Sequence, residues 1–148
     1  MSRRALEELT RLIRENRVAD YSSPNLALGM RPVRFAPGSA SWVWPEQPAA
    51  ALNPFGTLQG GYLALFVDEL LSTAIGSVLE TGELALTAEV KLCYLRGLSP
   101  GRLEGEARVV RRSRTLAFLE AVVTGPDGKP AVSASSTWAI LRAAEERR

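Results

Sequence analysis

The segment from Asn53 to Glu80, NPFGTLQGGYLALFVDELLSTAIGSVLE, constrains the rest of the chain more than any other. It opens on turn-forming residues, passes two glycines and becomes one long, mostly apolar run whose spacing predicts a helix from about Gly60 to Glu80. Thr81-Gly82 marks its end, since a glycine just past the last turn is a common C-cap. A lone apolar helix of this length has to be covered, and the sequence after it offers only strands for the purpose.

Those strands are separated by tight turns. In LTAEVKLCYL, Leu86, Ala88, Val90, Leu92 and Tyr94 alternate with Thr87, Glu89, Lys91 and Cys93, as expected of a strand with two different faces. After the GLSPG turn, Leu103, Gly105, Ala107 and Val109 read as inward, and Arg102, Glu104, Glu106 and Arg108 as outward. RRSR connects to TLAFLEAVVT, and GPDGKP carries the Asp-Gly of a hairpin turn before AVSASSTWAIL. Sequential hairpins make an antiparallel meander. Ahead of the apolar run, residues 26–52 read as a bent extended segment, a strand or a hairpin, split by Pro37 and Gly38. Leu6, Leu9, Leu12 and Ile13 give residues 1–20 an amphipathic helix, and residues 142–148 read as a frayed tail. The fold class is therefore α+β: one domain over 1–148, an antiparallel sheet wrapped against one long central helix, with an extra N-terminal helix.

The chain has no histidine among its 148 residues. This excludes Ser-His-Asp triads, Cys-His pairs and His-ligated metal sites built from this chain, so acid–base work falls to carboxylates, Lys, Tyr or the lone thiol. A formal charge of +2 and 7% aromatic content give little support to nucleic-acid binding. One cysteine allows no internal disulfide and points to a reducing, cytoplasmic setting. The charged start carries no signal-peptide pattern, and no apolar run approaches the roughly 20 residues needed to cross a bilayer.

On a helical wheel, Val67, Leu70, Leu71, Ala74 and Val78 form the apolar face, with Glu69, Ser72, Thr73, Gly76, Ser77 and Glu80 opposite. Asp68 falls on the boundary. It is either a solvated helix acid, as Glu69 is expected to be, or a carboxylate lining a crevice between helix and sheet or partner subunit. The glycines of Gln59-Gly60-Gly61 either make a turn or leave backbone N–H groups open at the positive end of the helix dipole, where they can polarise a carbonyl. Asp68 lies about 12 Å further along the axis at ~1.5 Å per residue. Trp42, Trp44 and Trp138 read as core or interface anchors, with Trp42 or Trp44 also placed to wall a pocket, and Cys93 as a buried small residue.

The run NPFGTLQGGYLALFVDE resembles the signature of the hotdog-fold acyl-CoA thioesterases, in their phenylacetyl-CoA thioesterase-like (PaaI-like) branch: N-x-x-G-x-x-H-G-G, then Asp after six residues. Asn53, Gly56, Gly60, Gly61 and Asp68 match, and the strand pattern extends the resemblance over about residues 26–141. The resemblance implies hydrolysis of an acyl-CoA to a carboxylic acid and CoA, with no metal or other cofactor. Asp68 would be general base or nucleophile, and the Gly60 N–H would polarise the thioester carbonyl. Asn53 would position water or thioester, and Thr87 would support the water. Gly61 would adjoin the substrate, and Arg96, Arg111, Arg112 and Arg114 are candidates for the CoA phosphates. It also implies a dimer, or a pair of dimers, with active sites shared across the subunit interface. Gln59 departs from the pattern: it can donate a hydrogen bond but cannot carry a proton. The alternative is an acyl-CoA-binding hotdog protein that lost catalysis with that change; a scaffold domain with no small ligand is a third reading.

Overall fold

The structure, a computed structural model, describes residues 24–142 and, before them, Glu8, Arg11, Leu12, Arg14, Glu15 and Arg17. Most of the expected N-terminal helix, and residues 143–148 of the expected tail, lie outside the described residues. Arg142, expected in that tail, instead closes the last strand.

In chain order, α1 (Pro24–Ala27) leads into a hairpin of β1 (Arg31–Ala36) and β2 (Ser39–Trp44). A 3-10 turn (Ala49–Ala51) and the motif loop precede the long helix α2 (Gly60–Gly76). Then come β3 (Glu83–Tyr94), β4 (Leu103–Arg112), β5 (Leu116–Thr124) and β6 (Pro130–Arg142). The six strands form one sheet, in the order β1-β2-β4-β5-β6-β3, and every neighbouring pair is antiparallel. The extended segment before the helix is thus the hairpin, and it adds two strands at the β4 side.

Helix α2 is held against the inner face of this sheet. Phe66, Val67, Leu70, Leu71 and Ala74 have no solvent exposure, and they meet Trp42, Trp44, Leu103, Leu119 and Val123 in one core. Gly105 makes the close approach possible, because a Cβ there would collide with Leu70 and stand 3.1 Å from Phe66. The inward set expected for β4 is observed: Leu103, Gly105 and Ala107 are buried, and Glu104, Glu106 and Arg108 are exposed.

Four expectations need correction. The helix ends at Gly76, not Glu80, and tighter turns carry the chain on from there, with Val78 N–H donating to Ile75 C=O at 3.0 Å. Gly82 accordingly serves the turn into β3, at φ +84°, rather than capping the helix. The polar face of α2 is also covered. Thr73 and Gly76 are buried, and the Thr73 hydroxyl donates to the Glu69 carbonyl one turn back, at 2.5 Å.

The last correction concerns β3. Its alternation is broken at Ala88: Thr87 pairs with Trp138 and Glu89 with Thr137, which leaves Ala88 unmatched. This β-bulge shifts the side-chain phase by one residue. Thr87 therefore shares the inner face with buried Trp138, and Leu86 turns outward with 48% of its surface exposed. Beyond the bulge the expected phase returns, with Val90, Leu92 and Tyr94 opposite buried Ser136, Ala134 and Val132. A second bulge, at Val110 on β4, lies at nearly the same level of the sheet. Together they bend the sheet about the helix.

Candidate active site

The motif loop is built around Asn53. Its Oδ1 accepts the backbone N–H groups of Phe55 at 2.9 Å and Thr57 at 3.2 Å, and its Nδ2 donates to the Thr57 hydroxyl at 2.7 Å. Gly56, at φ +74°, completes the turn. The Asn53 side chain is thus occupied in shaping its own loop. Phe55, at the tip, is 89% exposed.

The loop delivers the chain to the start of α2. Gln59 N–H donates to Ala51 C=O and Leu58 N–H to Leu98 C=O, both at 2.8 Å. Gln59 occupies the N-cap position but makes no side-chain capping bond, and it is exposed. The N–H groups of Gly60 and Gly61 have no acceptor within the helix and none among the described residues. They stand at the positive end of the helix dipole. Nothing lies within 4 Å of the place where a Gly61 Cβ would be, so this backbone is open to approach.

Asp68 lies two turns further along. It is half-buried, and Thr87 Oγ1 donates to its Oδ1 at 3.2 Å. Burial raises its pKa above the ordinary carboxylate value, and the Thr87 hydroxyl offsets part of the rise. The β3 bulge is what aims Thr87 at Asp68.

Glu69 was expected in solvent and is not. It is half-buried and accepts a hydrogen bond from Asn25 Nδ2. Burial raises its pKa, Asn25 works against the rise, and the neighbouring Asp68 charge adds to it.

The arginines divide into two pairs. Arg96 spans the β5–β6 turn, donating to Pro130 C=O at 3.2 Å, Lys129 C=O at 2.8 Å and Asp127 at 2.5 Å. Arg112 pairs with Glu83, whose carboxylate is 2% exposed and also binds Arg142 at 3.0 Å. Burial works to raise the Glu83 pKa, but the Glu80 N–H, Arg142 and Arg112 prevail and hold it below the ordinary value. Arg111 and Arg114 are exposed and have no partner among the described residues. Cys93 is exposed on the outer face of β3, against expectation, because the strand phase there points it away from the helix. Trp42, Trp44 and Trp138 are core residues, at most 4% exposed, so none of them walls an open pocket.

Sequence reasoning missed three residues. Glu69 was read as a solvated acid and Glu83 was given no role, and their partners Asn25 and Arg142 are 44 and 59 positions away. Tyr94 was assigned only to a strand face, whereas its hydroxyl donates to Gly60 C=O at 2.8 Å, 34 residues back. No local pattern encodes such pairs.

A family model described as the thioesterase superfamily matches residues 55–132. The curated Pseudomonas aeruginosa protein PA1618 is 34% identical over 90 residues, spanning 60% of this chain and 62% of its own length. The chain thus matches less than two thirds of that relative. The solved structure of a mutant thioesterase PA1618 aligns with a TM-score of 0.78 at 28% identity, covering 88% of this chain and 94% of that one. The E. coli PaaI protein, from the phenylacetic acid degradation operon, aligns with a TM-score of 0.78 over 90% of this chain and 96% of its own, at 19% identity, a likeness of fold. A six-stranded antiparallel sheet around one long helix, carrying Gly60, Gly61 and Asp68 on that helix, is thus a hotdog fold, and the chain belongs to the thioesterase superfamily.

Proposed function

We propose that the protein hydrolyses an acyl-CoA thioester to a carboxylic acid and CoA. The observation that carries this reading is the pairing, on one helix, of open N–H groups at Gly60 and Gly61 with a half-buried Asp68 of raised pKa. Donors fixed at a helix N-terminus stabilise the charge that develops on a carbonyl oxygen under attack. A carboxylate whose pKa is raised toward neutrality is a better base than a solvated one.

In this mechanism Asp68 takes a proton from water while the water oxygen bonds to the thioester carbon. The Gly60 N–H holds the resulting oxyanion, with Gly61 beside it. The carbon–sulfur bond then breaks, and the thiolate leaves as CoA and takes up the proton. Thr87 holds Asp68 in place, and Asn53 acts through the loop that it shapes. Gln59 offers its amide as a hydrogen-bond donor at the site mouth. Arg111 and Arg114 have free guanidinium groups for the CoA phosphates, unlike Arg96 and Arg112, which are engaged within the fold.

Asp68 and Gly60 of one chain are about 12 Å apart along the helix, at ~1.5 Å per residue. The reading therefore uses two subunits, with Asp68 of one facing Gly60 of the other. The edge strand β3 supports this. Among the described residues it has no neighbour on its outer side; it is twelve residues long and carries Leu86 at 48% and Tyr94 at 50% exposure. The chain's single cysteine favours a cytoplasmic enzyme.

The test is CoA release from a panel of aromatic and aliphatic acyl-CoAs, short to long. Turnover of one class supports the hydrolase. Tight binding of acyl-CoA with no thiol released refutes it and favours the non-catalytic binding protein.

A further inference from the structure

The segment after β3 is a bracket for the motif loop. The Tyr94 hydroxyl donates to Gly60 C=O at 2.8 Å, and Leu98 C=O accepts Leu58 N–H at 2.8 Å. Gly97 faces the Thr57 methyl, where an added Cβ would stand 3.8 Å away. The phenol end of Tyr94 lies so close to Gly60 that an added Cβ there would be 3.2 Å from its Cζ. Arg96 in turn ties the bracket to the β5–β6 turn through Lys129 and Pro130. Tyr94 remains 50% exposed, so holding this loop is not a by-product of core packing.

The carbonyl of Gly60 and the N–H of Gly61 belong to one planar peptide unit. Fixing the oxygen fixes the direction of the N–H. A donor on the oxygen also polarises the amide, which strengthens the N–H as a donor in turn. We propose that Tyr94 is a positioning residue that orients and polarises the Gly60–Gly61 peptide, making the Gly61 N–H a second donor beside that of Gly60. The kinetic part of this inference rests on the hydrolase reading above; the structural part does not.

Tyr94→Phe removes the hydroxyl and keeps the ring. The loss of one hydrogen bond acting in the transition state is expected to lower kcat roughly fivefold to tenfold, with KM held within about twofold. The acidic limb of the pH profile stays in place, because Asp68 is untouched. Independently of turnover, the Gly61 amide exchanges more slowly with solvent in the variant, because exchange of this open N–H follows the acidity that the Tyr94 hydroxyl confers on it. Unchanged kcat with unchanged Gly61 exchange overturns the proposal. So does a variant whose folded fraction turns over normally while only Tm falls, or one in which KM rises at constant kcat. If the wild-type protein hydrolyses no acyl-CoA and Tyr94→Phe still slows Gly61 exchange, the positioning role stands and the hydrolase reading fails.

Discussion

Thr87 reaches Asp68, at 3.2 Å, because the residue after it has no partner across the β3–β6 ladder. Without the bulge, the register set by Glu89 and Val90 would turn Thr87 outward and put Ala88 opposite Trp138 in its place. The site carboxylate would then face a hydrocarbon side chain instead of a hydroxyl.

Replacing Asp68 with asparagine separates chemistry from folding. Removing a general base is expected to cost about 10²-fold or more in kcat. The thermal midpoint should hold or rise. Burial makes the charged form of Asp68 unfavourable, so its folded pKa exceeds its unfolded one and the group detracts from stability at neutral pH. Calorimetry beside thiol-release kinetics checks both halves; a variant with normal turnover defeats the mechanism.

The Thr87→Ala variant tests the hydrogen bond directly. The hydroxyl lowers the Asp68 pKa against the larger effect of burial. Its loss should move the acidic limb of kcat/KM to higher pH and lower activity most on the acid side. A limb that stays fixed shows that this hydroxyl does not act on the titrating group.

Glu83 governs acid sensitivity. Its folded pKa is lowered, so its contribution to stability is present above the unfolded value and is lost as pH falls through the folded one. Glu83→Ala would leave Arg112, 24% exposed, only its longer contact with Glu80 at 3.8 Å among the described residues, and should cost about 3 kcal/mol, by analogy with one-sided removal of buried ion pairs. Denaturant melts from neutral to acid pH should show the wild-type advantage over this variant shrinking as the pH falls.

Gly105→Val tests the fit of helix to sheet. The new side chain would enter space held by Leu70 and Phe66. Overpacking of this kind should destabilise by about 1–3 kcal/mol or displace the helix. A urea melt would register it as a lower midpoint.

Much of this was legible in the sequence, and the reasons are physical. The central helix announces itself by length and apolar content, and β4 by strict alternation, because both patterns come from burial on one side. Gly60, Gly61 and Asp68 are readable as residue types at fixed spacing on one helix. The β3 bulge was not readable: the residues 87–89, Thr-Ala-Glu, include no glycine, and the bulge is defined only against Thr137 and Trp138 on another strand. The parting of the arginines, with Arg96 and Arg112 engaged and Arg111 and Arg114 free, likewise depends on distant partners. Arg96 meets Asp127 and Arg112 meets Glu83, 31 and 29 positions away.

Cys93 carries a consequence for the bench. It is the single thiol of the chain, and it sits open on the outer sheet face beside Lys91, Ser133 and Val122. A colorimetric reagent that traps released CoA will therefore also titrate one equivalent of the enzyme itself, appearing as an early burst proportional to protein and independent of substrate. Pre-blocking the thiol or using Cys93→Ser removes that signal. With the wild-type protein, the same reaction counts subunits in the cuvette.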